Sequence, residues 1–328
     1  MSKRVIVTGG GGFIGAYLVK RLVREGWDVG VIDTMVRGDA SRFAEVSDDV
    51  RLHSIDVRDE DAVTAAIDGA EVVMHLAAIN GTENFYKRPE LVLDVGIRGA
   101  LAVVNACRRA GVPDLVVAST AEVYQTPAVV PTPEQISLML PDSLNPRYSY
   151  GGSKIVSELI AFNYGQDHFR KVQVFRPHNV YGPDMGWKHV IPQFILRAAE
   201  SLNGGSGPAP FTIQGDGSET RAFCYVDDVV DGILTMYEKG GHREIYHIGN
   251  DEEISVRQLV DRLGEAMGGT LSIVPSSAAE GGTPRRCPDI SKMRVLGYDP
   301  KTDISDGLRR TAAWYLANRN KVAANDLM

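Results

Sequence analysis

The sequence predicts an α/β protein: a doubly wound parallel sheet first, then a smaller C-terminal α/β lobe. Three observations predict it. Short β-branched apolar runs alternate with longer amphipathic stretches as far as residue 176, the pattern of buried parallel strands covered by helices. A glycine cluster, Gly9-Gly10-Gly11-Gly12-Phe13-Ile14-Gly15, lies at the first strand–helix junction. After Arg176, proline and glycine become frequent and the alternation is lost, which marks a second unit.

Taken in order, strands are expected over residues 4–8, 28–33, 51–56, 71–76, 114–119 and 171–176, each an apolar run bounded by turn residues. Helices are expected over 14–25, 59–67, 91–110 and 150–166, where apolar positions recur at helical spacing. Crossovers of this length are right-handed. Residues 203–210, Asn-Gly-Gly-Ser-Gly-Pro-Ala-Pro, read as a surface loop. Residues 226–238 and 245–248 read as a helix and a strand that return to the main sheet. A further helix is expected over 306–318, and residues 321–328 read as frayed.

Bulk properties narrow the function. The 328 residues, 44% hydrophobic and 23% charged, suffice for a large core and two lobes. A net charge of −7 gives no electrostatic case for nucleic acid or an anionic membrane. Local arginines can still hold phosphates. No run reaches membrane-spanning length, and the N-terminus reads as a first strand, not a signal peptide, so a cytoplasmic protein is expected. Cys107, Cys224 and Cys287 are odd in number and lack metal-ligand spacing, so reduced thiols and no metal are expected.

The glycine loop has a specific chemistry. Glycines there permit a tight turn, let backbone N–H groups approach a pyrophosphate, and let the helix pack closely. Gly9, Gly12, Phe13, Ile14 and Gly15 are the candidate cradle. The second strand ends in Asp33, placed to accept the ribose hydroxyls of a dinucleotide. Its carboxylate would repel the 2′-phosphate of NADP, so NAD is the expected cofactor. Arg37, nearby, reads as a solvated surface arginine. Asp56 and Val57 are expected at the adenine edge, although Asp56 could simply start the turn before the next helix. Residues 1–176, with 226–249, are the expected dinucleotide-binding domain.

Tyr150 and Lys154 open one helix a turn apart, on the same face. A phenol near pKa 10 is a poor base until neighbouring cations lower it; three units require about 4 kcal/mol. The strand over 114–119 delivers Ser119-Thr120-Ala121-Glu122 to the same region.

These residues resemble the extended short-chain dehydrogenase/reductases, in the nucleotide-sugar epimerase/dehydratase group. The resemblance rests on Gly9-x-x-Gly12-x-x-Gly15, His75-Leu76-Ala77-Ala78, Tyr150-x-x-x-Lys154 and Arg176-Pro177-His178-Asn179-Val180-Tyr181-Gly182-Pro183. It also rests on Arg221-Ala222-Phe223-Cys224-Tyr225-Val226-Asp227-Asp228 and the late Arg285-Arg286-Cys287-Pro288-Asp289-Ile290, so it covers nearly the whole chain. It implies a Rossmann fold, with residues 177–225 and 250–320 as the substrate-binding lobe. It implies Tyr150 as catalytic base, Lys154 as its electrostatic partner and ribose ligand, and Thr120 as the hydroxyl sharing the proton and meeting substrate. Leu76, Ala77 and Ala78 would line the cofactor's path, while Asn179, Arg221 and Arg286 would hold the sugar and diphosphate. Three positions depart from the group's pattern: Ala121 stands where the 4,6-dehydratases carry an aspartate, Gly96 where an asparagine is usual, and His178 where an aromatic is usual.

The implied chemistry is a transient oxidation at the sugar's C4, with Glu122 acting next at C5 or positioning the ring. Epimerisation of a nucleotide hexose needs the fewest added groups and comes first. Decarboxylation of a nucleotide uronic acid comes second, then 4,6-dehydration or 4-keto reduction. A dinucleotide-sensing protein with a dead site would be expected to lack Tyr150 or Lys154, and both are present. In the proteins this chain resembles, helices like 91–110 and 150–166 pair across a two-fold axis, and the resemblance therefore implies a homodimer.

Overall fold

The structure, a computed structural model, describes residues 2–164, 166–202, 207–277 and 283–321. In its first half, strands β1 (Arg4–Thr8), β2 (Asp28–Ile32), β3 (Val50–His53), β4 (Val72–His75), β5 (Asp114–Ala118) and β6 (Lys171–Pro177) alternate with helices. These are α1 (Phe13–Arg24), α2 (Glu60–Ala66), α3 (Thr82–Lys87), α4 (Pro89–Ala110) and α5 (Ser149–Tyr164). The second half runs β7 (Val180–Tyr181), α6 (Val190–Leu202), β8 (Ala209–Gln214), β9 (Thr220–Ala222), β10 (Cys224–Tyr225), α7 (Val226–Lys239) and β11 (Glu244–Ile248). It ends with β12 (Glu253–Ser255), α8 (Val256–Ala266), β13 (Leu271–Ser276), β14 (Arg285–Arg286), α9 (Ser291–Val295) and α10 (Ile304–Ala317).

Seven strands form the central sheet in the order β11-β6-β5-β4-β1-β2-β3, every pair parallel. Alternation along each strand sorts side chains into two cores. Ile6, Val73, Leu115 and Val174 pack beneath α2, α4 and α5. Val5, Val7, Val116 and Phe175 pack beneath α1 and α7 with Leu18, Val229 and Ile233. Both faces are covered, which is why these strands read as continuous apolar runs. The fold is the Rossmann-like α/β arrangement that the sequence predicts.

The smaller lobe gathers α6, α8 and α10 around Trp187, Ile195, Phe211, Leu308 and Tyr315. There β8 pairs with β13 in parallel, and β9 lies between antiparallel β12 and parallel β14. The expected loop over 203–210 needs correcting at its end. Ala209 and Pro210 open β8, whose alternate residues Ala209, Phe211 and Ile213 are buried. Residues 203–206, Gly165 and 322–328 lie outside the described residues. The third strand is also shorter than expected, stopping at His53. Asp56 turns the chain, its Oδ1 accepting the Arg58 N–H at 2.9 Å.

Helices α4 and α5 meet closely. A Cβ at Gly96 would stand 2.6 Å from Ser153 Oγ, and the Ser157 hydroxyl donates to the Gly96 carbonyl at 3.0 Å. An asparagine at this position would collide with Ser153. Gly96 is a packing residue against the helix that carries Tyr150 and Lys154.

Candidate active site

The loop between β1 and α1 is built for a close approach. Gly9 holds φ +73°, and a Cβ there would stand 2.7 Å from the Ala77 nitrogen. A Cβ at Gly15 would collide with the Gly9 carbonyl oxygen. No side chain caps the first turn of α1 at Gly12, so its open N–H groups and dipole favour an anion. Phe13 and Ile14 are partly buried, on the small-lobe and sheet sides respectively. Asp33 ties this loop to the end of β2: Oδ2 accepts from Gly11 N at 3.0 Å and Oδ1 from Met35 N at 2.9 Å. Leu76 N donates to Thr8 O (3.0 Å) and Ala77 N to Thr8 Oγ1 (3.2 Å), which lays Leu76, Ala77 and Ala78 beside Gly9. Such a cradle fits the pyrophosphate and ribose of a dinucleotide. Asp56 is engaged by Arg58, and Val57 is buried against Gly99, so both belong to the turn after β3. Arg37 is exposed, yet its guanidinium is close enough to Tyr150 to favour the phenolate.

At the end of β5, Thr120 starts a short helical turn by accepting the Glu122 N–H on Oγ1 at 3.2 Å. Helix α5 begins at Ser149 and projects Tyr150 and Lys154 towards that turn. Lys154 is buried, donates from Nζ to the Ala118 carbonyl at 2.7 Å, and stands 6.0 Å from the Tyr150 ring centroid. Burial pulls its ammonium down to about 8, against the opposing pull of Glu158. Tyr150 stacks on Phe85, ring centroids 5.3 Å apart and planes within 11°. Burial and the Glu122 charge push its phenol upward, while the Thr120 hydroxyl and Arg37 pull it back. Glu122 is itself held in a fork: Arg147 Nη1 donates to Oε2 at 3.0 Å and Nη2 to Oε1 at 3.3 Å.

From the smaller lobe, Arg221 and Arg286 are register partners on adjacent strands β9 and β14, so both leave the same face. Arg221 Nη1 donates to the Thr220 carbonyl at 2.7 Å. Arg286 lies within electrostatic reach of Glu122 and Arg147, and its Nε is buried without a partner, as suits a residue that waits for an anion. Asn179, at φ +39°, donates from Nδ2 to the Ala222 carbonyl at 3.1 Å. His178 is buried and neither ring nitrogen has a partner. Burial and neighbouring positive groups hold it well below the usual histidine range, hence neutral.

Sequence reasoning missed two groups here. Arg147, three residues before Tyr150, lies in the turn ahead of α5, where no helical spacing marks how far its side chain reaches. The other is a buried chain behind the site. Arg176 pairs with Glu158 through Nε–Oε1 (2.9 Å) and Nη2–Oε2 (2.6 Å). Ser119 also donates to Glu158, Arg176 reaches the Tyr124 hydroxyl, and that hydroxyl meets His247 Nε2 at 2.6 Å. Among the described residues no cluster of metal-ligating side chains occurs, and no helix is long and apolar enough to cross a membrane.

The chain is 29% identical over 327 residues to a UDP-N-acetyl-alpha-D-glucosaminuronate decarboxylase of Bacillus cytotoxicus, covering 96% of this chain and 98% of the relative. It is similar to a solved dTDP-glucose 4,6-dehydratase of Streptomyces venezuelae, a double mutant with NAD bound. That match has a TM-score of 0.84, 28% identity, and covers 98% and 99% of the two chains. A UDP-glucose 4-epimerase of Thermotoga maritima, solved with UDP-glucose, gives a TM-score of 0.84, 27% identity, and 96% and 99% coverage. Residues 5–249 match the NAD dependent epimerase/dehydratase family, and the chain belongs to that family as an NAD-dependent enzyme.

Proposed function

We propose that this enzyme decarboxylates a nucleotide-linked uronic acid through a transient 4-keto sugar. The observation that carries the reading is one of charge. The Glu122 carboxylate faces two guanidiniums, Arg147 and Arg286, which leaves a surplus positive charge beside Tyr150. A sugar bearing its own carboxylate suits that surplus better than a neutral hexose. Similarity to a uronate decarboxylase supports the same reading. Ala121, in place of an acid, weighs against 4,6-dehydration.

NAD, when bound, supplies a hydride acceptor for C4 and later returns the hydride. Tyr150 takes the proton of the C4 hydroxyl, and the Lys154 ammonium beside it stabilises the phenolate. Thr120 shares that proton through its hydroxyl. The ketone at C4 makes the C5 carboxylate a β-keto acid: the C5–C6 bond breaks, CO2 leaves, and its electron pair passes into the C4 carbonyl as an enolate. C5 then takes up a proton, and Tyr150 returns its own proton as C4 is reduced. Glu122, held in place by the Arg147 fork, orients the ring. Arg221 serves the diphosphate and Arg286 the sugar with its carboxylate, their forks matching anionic oxygens, and Asn179 lies beside them. Asp33 serves the ribose, with Asp56 and Val57 at the adenine end.

Epimerisation is the second reading, favoured by the similarity to the UDP-glucose 4-epimerase. Incubation with UDP-glucuronic acid, its N-acetylglucosaminuronic counterpart and UDP-glucose, with products read by mass and NMR, separates the two. Loss of CO2 from a uronate is expected. A new ring configuration at unchanged mass would replace decarboxylation by epimerisation.

The same reading includes a homodimer formed through α4 and α5, supported by the exposed Leu93, Leu159 and Tyr164 on these helices. It places the enzyme in the cytoplasm, where its three unpaired cysteines stay reduced.

A further inference from the structure

In the reaction derived above Arg147 does no more than anchor Glu122, yet its surroundings are unusually constrained. It sits in the short turn Pro146–Tyr148 that leads into α5. Pro146 fixes the turn's start, and Asn145 Oδ1 accepts the Arg147 N–H at 3.0 Å. With its backbone held, the guanidinium makes two contacts at once. It forks onto Glu122 at 3.0 and 3.3 Å, and it lies over the Phe85 ring at 5.4 Å. That same ring stacks on Tyr150. Arginine, a stacked aromatic and tyrosine therefore form one column, with Glu122 clamped alongside it.

We propose that Arg147 is a positioning residue for the oxidation step: it holds Glu122 as a paired anion and, through Phe85, fixes the ring of Tyr150. The inference rests on reading Tyr150 as the base and is independent of the chemistry at C5. Lysine could not replace it, because a point charge neither forks onto both carboxylate oxygens nor stacks flat on a ring.

The charges around the column give this role a measurable consequence. Tyr150 is faced by Lys154 from its own helix, by Thr120 and Glu122 from the turn after β5, and by Arg37 from the loop after β2. Phe85, from α3, adds no charge. Glu122 is faced by Arg147, Arg286 and Tyr150. The negative charge of Glu122 opposes formation of the phenolate, and Arg147 lies closest to that charge and cancels it. An exposed ion pair would do little of this, but both side chains are well covered, at 30% and 21% exposure.

The test monitors reduction of bound NAD by its absorbance after mixing holoenzyme with UDP-glucuronic acid and, in parallel, with UDP-glucose, across pH. This reads the first step alone, so a failure of C5 chemistry appears in the product mass and not here. In Arg147→Gln the acid limb of the profile should move up by about one pH unit, about tenfold less reduction near neutrality. KM should change little. Arg147→Lys should fall between this variant and wild type. In Glu122→Gln/Arg147→Gln no charge is left to compensate, and the limb should return to the wild-type position or below. That recovery also shows that the fold survives. Coincident limbs in Arg147→Gln and wild type would overturn the inference, as would a double variant whose limb stays at the single variant's pH, whatever its amplitude.

Discussion

Replacing Arg176 by Met tests the buried chain behind the active site. Arg176 and Glu158 are only 2% and 4% exposed. The guanidinium satisfies both Glu158 oxygens, the Tyr124 hydroxyl and the Glu134 carbonyl at 3.1 Å. Met keeps much of the volume but leaves the Glu158 charge buried, with the Ser119 hydroxyl as a hydrogen-bond donor and the Lys154 charge in electrostatic reach. Stranding one member of a buried pair costs about 3–5 kcal/mol. At about 2 °C per kcal/mol for a chain of this size, the melting temperature should fall by about 6–10 °C. Glu158→Leu/Arg176→Met removes both charges, and Tyr124 keeps His247 as partner, so most of the loss should be recovered. Urea unfolding monitored by circular dichroism, with calorimetry, measures both variants. A single-variant cost below about 1 kcal/mol, or a double variant as costly as the sum of its parts, would refute the assignment. The double variant also removes the group that holds the Lys154 ammonium up, so its alkaline limit should move to lower pH.

Two more outcomes concern the lysine and the dimer. Lys154 titrates at about 8, below its ordinary value. Raising the pH through that point removes the cation beside Tyr150, so kcat should decline above about pH 8, and a kcat still rising well beyond it would exclude the charged form as the active one. For the dimer, sedimentation at micromolar concentration should show two chains. Leu159→Glu, on the exposed face of α5, should shift the protein to one, and a monomeric wild type would remove the proposal.

The parts of the site legible in the sequence are those encoded locally. The glycine loop, Asp33 and the Tyr150/Lys154 pair each derive from spacing within one strand–turn–helix or one helical turn, and neighbouring residues fix such geometry. The register of Arg221 against Arg286 was hidden, because β9 and β14 are two or three residues long and pair across a long stretch of sequence. Strands so short have no periodicity to read. Arg147 was hidden for another reason: Asn145 and Pro146 read as a turn, and turn chemistry says nothing about where a side chain reaches. The end of the third strand was misplaced because Arg51 to Asp56 alternate acceptably, while the Asp56–Arg58 turn depends on side-chain hydrogen bonds.

The place of β11 in the sheet has a consequence for how the protein is made. It closes the outer edge of β6, yet the ribosome finishes β6 well before β11 and inserts several small-lobe elements between them. During synthesis, six strands can already assemble while β6 offers a bare row of N–H and carbonyl groups. Val172, Val174 and Phe175 flank that open edge. A nascent chain stalled before residue 244 is therefore a sticky intermediate. Slow translation or truncation within the small lobe should lead to edge-to-edge aggregation instead of a harmless lone domain.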